Sequence, residues 1–217
     1  MARIEPFEQH ASEYEDWFAE HILAYESELQ AVKQQLPESA IGIEIGVGSG
    51  RFAAPLGIKL GLEPSPQMSK IAQRRGIQVV GGVAEAMPFG NSKFDFALMV
   101  TTICFVDDPE ASLKEAHRIL KPNGCLIIGF VDRNSAIGSL YEQHKENNVF
   151  YRMATFYSPA NVISLLGKTG FKDLSFAQTI FKSLSEIDTT EPTKPGYGQG
   201  SFIVVRATKN GSMTSYR

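Results

Sequence analysis

The run Ile43-Glu44-Ile45-Gly46-Val47-Gly48-Ser49-Gly50-Arg51 constrains the fold more than any other stretch of this chain. Residues 40–45 are apolar and rich in β-branched side chains, the pattern of a short buried strand, and three glycines at alternate positions follow at once. Glycine reaches positive φ without steric cost, so such a loop turns sharply and leaves room for a ligand against its main chain, or serves the fold alone. A strand, a glycine-rich turn and a helix opened by that turn form the first unit of an α/β sheet. The spacing is G-x-G-x-G; the dinucleotide fingerprint needs glycine at the sixth position, where Arg51 stands, which counts against a nicotinamide dehydrogenase.

The same alternation continues downstream. Residues 59–62 read as a second strand, and Ser65-Pro66 supplies an N-cap and first helical residue for a helix over 67–75. Further strands are expected at 77–80, 94–100 and 125–131, with a helix from Asp108-Pro109 to about residue 120. Upstream, Tyr14, Phe18, Ile22, Tyr25, Leu29, Val32 and Leu36 are three or four apart, which predicts one long or two successive amphipathic helices over 10–36, stopped by Pro37. Residues 132–157 mix polar, aromatic and charged side chains and read as an insertion. A helix starts at Ser158-Pro159, and strands at 171–178 and 201–208 are expected to form an antiparallel pair across a long loop. The expected organisation is one domain: an N-terminal helical segment 1–37, a core 40–131, an insertion 132–157, a last helix and strand pair over 158–208, and a frayed tail 209–217.

Composition narrows the function classes. The 217 residues carry a formal net charge of −3 with signs interspersed, so no basic stripe offers itself to nucleic acid. The N-terminal segment has acids and a proline where a secretory signal needs apolar residues, and no apolar run nears the ~20 residues that span a bilayer. Cys104 and Cys125 both lie in apolar runs, as buried thiols do in a reducing cytoplasm. A cytoplasmic protein with no membrane partner is expected.

Glu63 ends the second strand, in the run Gly61-Leu62-Glu63-Pro64-Ser65. An acid just past the carboxyl end of a parallel strand faces the sheet's ligand crevice, where its two oxygens can accept both hydroxyls of a ribose. Then follow Gly82-Val83-Ala84-Glu85-Ala86-Met87-Pro88-Phe89, the strand Lys93–Val100 and the run Glu115 to Gly129. This ordered set, over about residues 40–131, resembles the class I S-adenosylmethionine-dependent methyltransferases, in particular the small-molecule, type 11-like branch.

That resemblance implies a Rossmann-like, doubly wound, mostly parallel seven-stranded sheet with an antiparallel last strand and an N-terminal helical lid. It also implies S-adenosylmethionine as cofactor, S-adenosylhomocysteine as product and no metal. Gly46, Val47, Gly48 and Gly50 match the loop beneath the methionine and ribose, and Glu44 the strand acid that orients the loop or the methionine ammonium through water. Glu63 matches the ribose ligand; Pro64, Ser65 and Met68 stand where the family packs adenine. Ala84 and Glu85 match the segment at the adenine edge, but Val83 replaces a common aspartate there, so Glu85 or a water takes its role or adenine discrimination is weaker. Thr101 and Phe105 match the wall beside the methionine. The small-molecule acceptor is expected between the lid, with Tyr14, Trp17 and Phe18, and the insertion, with Tyr141, His144 and Tyr157. No catalytic residue is assigned, since methyl transfer can rest on alignment and exclusion of water. The alternative class is a cofactor-binding regulatory or assembly protein without turnover.

Overall fold

The computed structural model describes residues 4–211. Strand β1 (Gly42–Ile45) pairs in parallel with β2 (Leu60–Glu63) on one side and with β4 (Phe94–Val100) on the other. The sheet grows outward from this centre, to β3 (Gln78–Gly81) beyond β2 and to β5 (Leu120–Val131) beyond β4, again in parallel. Because the chain builds away from β1 in both directions, a crevice opens at the carboxyl ends of β1 and β4, where the order reverses. Strand β8 (Phe202–Lys209) lies between β5 and β6 (Phe171–Thr179), antiparallel to both, and the full order is β3-β2-β1-β4-β5-β8-β6-β7.

Both faces of the central strands are buried. Ala97, Met99, Leu126, Ile128 and Phe130 point to one side with Ile43 and Ile45; Phe96, Leu98, Val100, Cys125 and Ile127 point to the other. The first side is covered by α5 (Pro109–Ile119) and α7 (Pro159–Lys168) through Leu113, Ala116, Val162 and Leu166. The second is covered by α3 (Ile22–Lys33) and α4 (Pro66–Arg74) through Ala31, Val32 and Ala72. Capping follows the sequence: Ser65 Oγ accepts from the Met68 N–H at 3.1 Å, Asp108 from Ala111 at 2.9 Å, and Ser158 forms a reciprocal box with Asn161.

Several local expectations are corrected. The glycine loop opens no α-helix: Pro55 has no N–H to donate, and Gly57, at φ 75°, ends a single wound stretch with Ile58 N–H on the Ala53 carbonyl at 2.9 Å. The N-terminal segment forms three helices, α1 (Glu5–Gln9), α2 (Ala11–Glu20) and α3, because His10 and His21 leave helical geometry at φ −120° and −118°. The sheet has an eighth strand, β7 (Lys194–Pro195), inside the segment read as loop; at the sheet edge the missing proline N–H costs nothing. Strand β5 begins already at Leu120, which pairs with Phe94 across an irregularity in β4. The insertion holds α6 (Ala136–Gln143) and two short 3-10 turns. Of the expected frayed tail, residues 212–217 lie outside the described residues.

Candidate active site

The glycine loop leaves β1 at the crevice with Gly46, Gly48 and Gly50 at φ 68°, 53° and 83°, a region that side chains disfavour. A Cβ on Gly46 would collide with the Thr102 side chain, whereas a Cβ on Gly48 would meet only the Tyr14 hydroxyl at 3.6 Å. Gly48 therefore faces space. At the end of β2, Glu63 accepts from the Gly48 N–H at 2.8 Å through Oε2 and from the Ser65 N–H at 2.9 Å through Oε1. Burial pushes its carboxyl up to about 7, against the pull of those two backbone bonds and with the Glu8 charge adding to the rise.

These groups border a cleft of about 100 Å³. Gly46, Gly48, Glu63, Pro64 and Met68 form one side of it, and Ala84, Glu85, Thr101 and Phe105 also line it. Val83 stands in the same wall, while Glu85 Oε1 accepts from the Asp107 and Asp108 N–H groups at 2.8 and 3.2 Å. Val47 is buried with its side chain against Gly61, so only its main chain belongs to the loop surface. Glu44 is buried behind the loop; its Oε2 has no hydrogen-bond partner, and burial raises its carboxyl well above the usual range.

A second, larger cavity of about 480 Å³ adjoins the cleft and shares Phe7, Tyr14, Thr101 and Phe105 with it. Tyr14, Trp17, Phe18, Tyr141 and Tyr157 line this cavity. His144, at the end of α6, is exposed and does not line it. Cys104 also lines the cavity and is half-buried, unlike Cys125, and neither is in a disulfide among the described residues. Sequence reasoning missed Phe7, Glu28 and Tyr151. Phe7 lies seven residues before Tyr14, two steps of the apolar spacing in the sequence, and Glu28 lies on the inner face of α3 among Ala24, Tyr25, Ala31 and Val32, so the period held a signal for both.

Helices α1 and α2 close over the junction of the two cavities. Phe7 packs edge-on to Phe105 at 5.0 Å and to Tyr14 at 5.7 Å, and Phe150 of the insertion lies 5.5 Å from Phe7. Polar contacts clasp them down: Glu8 accepts from Ser65 Oγ and from the Gln67 N–H at 3.0 Å. Glu15 is shared by Arg51, at 2.6 Å, and Arg75, which also donates to the Ser49 carbonyl at 2.6 Å.

A solved structure from Thermotoga maritima, described as a SAM-dependent methyltransferase and "possible histamine N-methyltransferase", superposes with a TM-score of 0.94 at 55% identity, over 95% of this chain and 100% of that one. The chain belongs to the S-adenosylmethionine-dependent methyltransferases. The sequence profile of the methyltransferase domain matches residues 43–128, which run from β1 through the glycine loop, Glu63 and the 83–106 wall to β5. An uncharacterized protein of Methanocaldococcus jannaschii is 43% identical over 203 residues, 94% of this methyltransferase and 98% of that protein. A demethylmenaquinone methyltransferase of Chlorobaculum tepidum is 31% identical over 125 residues, about half of each chain at 54% and 51%. The clasping helices of this methyltransferase lie outside the profile match. Among its described residues no group of three or more His, Cys, Asp or Glu is placed to hold a metal, and no helix is long and apolar enough to cross a membrane.

Proposed function

We propose that the smaller cleft holds S-adenosylmethionine and the larger cavity a small-molecule acceptor, with methyl transfer at their junction. The observation that carries this reading is the shared wall: one cavity shaped by the glycine loop and Glu63 opens into an aromatic one at Tyr14, Thr101 and Phe105. Two features fit the residues to the cofactor. The space over Gly48 leaves the main chain open to a ligand, and the orphaned Glu44 Oε2 is a buried acceptor awaiting a donor such as a water-bridged ammonium. On this reading Gly46, Gly48 and Gly50 run beneath the methionine and ribose, and Glu63 accepts from the ribose hydroxyls. Pro64, Met68, Ala84 and Glu85 flank the adenine, while Thr101 and Phe105 stand beside the methionine.

Bound S-adenosylmethionine supplies a methyl carbon that its sulfonium makes electrophilic, open to in-line displacement. The chain then has to orient the acceptor and exclude water, which the aromatic closure of Phe7, Tyr14 and Phe150 does. The names of the similar proteins support a small-molecule acceptor rather than a macromolecule: demethylmenaquinone for one, histamine as a possibility for another. Release of S-adenosylhomocysteine in the presence of a panel of small amines, phenols and quinols tests turnover; cofactor binding with no product from any of them would favour a non-catalytic binding protein.

The Glu63 carboxyl gives a sharper check on the cofactor site. Ribose hydroxyls donate to an ionised carboxylate, and with its carboxyl near 7 Glu63 is mostly protonated at pH 6 and mostly ionised at pH 8. Affinity for S-adenosylhomocysteine is expected to rise roughly tenfold between those pH values, and Glu63→Gln to remove the slope. Glu63→Ala is expected to weaken binding by about 1.5–3 kcal/mol, the scale of hydrogen bonds to a charged group. Calorimetry showing the same pH slope in Glu63→Gln would remove Glu63 from the site.

A further inference from the structure

Four carboxyl groups line the larger cavity, and among the described residues no Lys, Arg or His does. Three of them, Glu13, Asp16 and Glu20, are exposed along α2, with His10 Nδ1 2.7 Å from Glu13. The fourth, Glu28, is only 8% exposed, and no hydrogen bond or ion pair reaches its carboxyl from any described residue. An apolar side chain would suit this face of α3 better, since a buried carboxyl gives up its water shell with nothing in return. Burial alone pushes it up to about 8. No described residue partners the group, and it lines the cavity, so an occupant of the cavity is placed to do so.

The walls around it are aromatic. Tyr141 and Tyr151 stack at 4.2 Å, and the Phe156 ring lies 6.0 and 5.8 Å from them. Burial, with the Glu28 charge adding to it, pushes Tyr141 up to about 12 and Tyr151 higher, so both hydroxyls lie within reach of that charge. Aromatic faces attract cations, most strongly where water is excluded. An anionic acceptor would meet only like charge here, and a neutral quinol would leave Glu28 without a counter-ion.

We propose that the acceptor is an amine that enters as its ammonium form, held by the Glu28 carboxylate against the rings of Trp17, Tyr141 and Tyr151. An ammonium has no lone pair, so one N–H proton passes to that carboxylate before transfer; the freed nitrogen then attacks the methyl carbon as the carbon–sulfur bond breaks and S-adenosylhomocysteine leaves. The assignment rests on the larger cavity being the acceptor site. It makes Glu28 the residue that sets acceptor class, and it places an ammonium beside a carboxyl that no described residue pairs.

The test uses the full chain saturated with S-adenosylhomocysteine, titrated calorimetrically with matched pairs: phenethylamine and phenethyl alcohol, histamine and imidazole ethanol, putrescine and butanediol. In at least one pair the amine is expected to bind about tenfold or more tightly than its alcohol, and Glu28→Gln to bring the two within about threefold while its affinity for S-adenosylhomocysteine is unchanged. Glu28→Gln is nearly isosteric with the protonated acid. Because the raised Glu28 carboxyl costs stability progressively as pH climbs from its unfolded value to about 8, this variant should melt at or above the wild-type temperature at pH 8, which verifies its fold. Alcohols binding as tightly as amines, a preference that survives Glu28→Gln, or no binding by either member of any pair would each overturn the proposal. Failure of S-adenosylhomocysteine itself to bind would instead overturn the cofactor reading beneath it.

Discussion

Gly48→Val is expected to yield a folded protein that no longer binds S-adenosylhomocysteine. Gly48 sits at φ 53°, where a β-branched residue is strained by about 1–2 kcal/mol. Nothing stands near its missing side chain except the Tyr14 hydroxyl at 3.6 Å, so the fold itself can accept the new atoms. On the proposed reading they occupy the space meant for the cofactor, and they displace the N–H that Glu63 now holds at 2.8 Å. The affinity should drop beyond about 100-fold, while the melting temperature falls only by about 2–8 °C. Gly57→Ala serves as the control. It carries the same kind of strain, at φ 75° with nothing within 4 Å, and should lose stability with no change in affinity. Near-normal affinity in Gly48→Val would sink the assignment of the loop.

Removing residues 1–20 is expected to lower turnover, with any amine that the wild type methylates, by at least about 100-fold, and to weaken cofactor binding by less than about tenfold. The loop, Glu63 and the proposed adenine wall at Ala84 and Glu85 all lie outside the deleted segment, but Phe7 and Tyr14, which close the junction of the cavities, lie within it. Opening that junction admits water and frees the acceptor, and lost alignment is costly in an in-line displacement. Phe18 is buried at 5% exposure, so a second variant guards against a folding defect: Tyr14→Ala removes one closing ring and keeps the clasp of Glu15 on Arg51 and Arg75. The chain's one tryptophan, Trp17, reports on the same helix by fluorescence and should respond to cofactor. Full turnover in both variants would reduce these aromatics to ordinary packing.

The parts legible in sequence are those where one residue type has one physical use. Glycine in a left-handed loop, β-branched runs buried on both faces, and Ser-Pro or Asp-Pro caps left little choice, and the order of β1 to β5 followed. Charged residues are read less surely, because their usual place is solvent. Arg118 illustrates this: on a helix face where a charged side chain would ordinarily meet solvent, it reaches back to bond Glu115 and the Phe89 carbonyl at 2.6 Å and the Met87 carbonyl at 3.0 Å, so it pins the loop that follows Ala84 and Glu85. Glu28 was overlooked for the same reason. Its meaning lies in groups far along the chain, Tyr141 and Tyr151, that no local period connects to α3. The insertion was marked as unusual by composition alone, which could not say that Tyr151 and Phe156 would turn inward while His144 turned out.

The placement of β8 between β5 and β6 governs how the chain comes to fold. Its partners precede it, β5 by some seventy residues of chain at Val131↔Phe202 and β6 more closely, so neither edge is satisfied until residues 202–209 have been synthesised. Until then the apolar run Cys125–Val131 presents unpaired main-chain groups, a template for pairing with other chains. The parallel half, β1 to β4, has all its partners earlier and can assemble first, whereas closing the sheet requires a long-range, slow step. A nascent chain stopped short of β8 is therefore the species most prone to aggregate, and the last strand acts as the latch that ends that hazard.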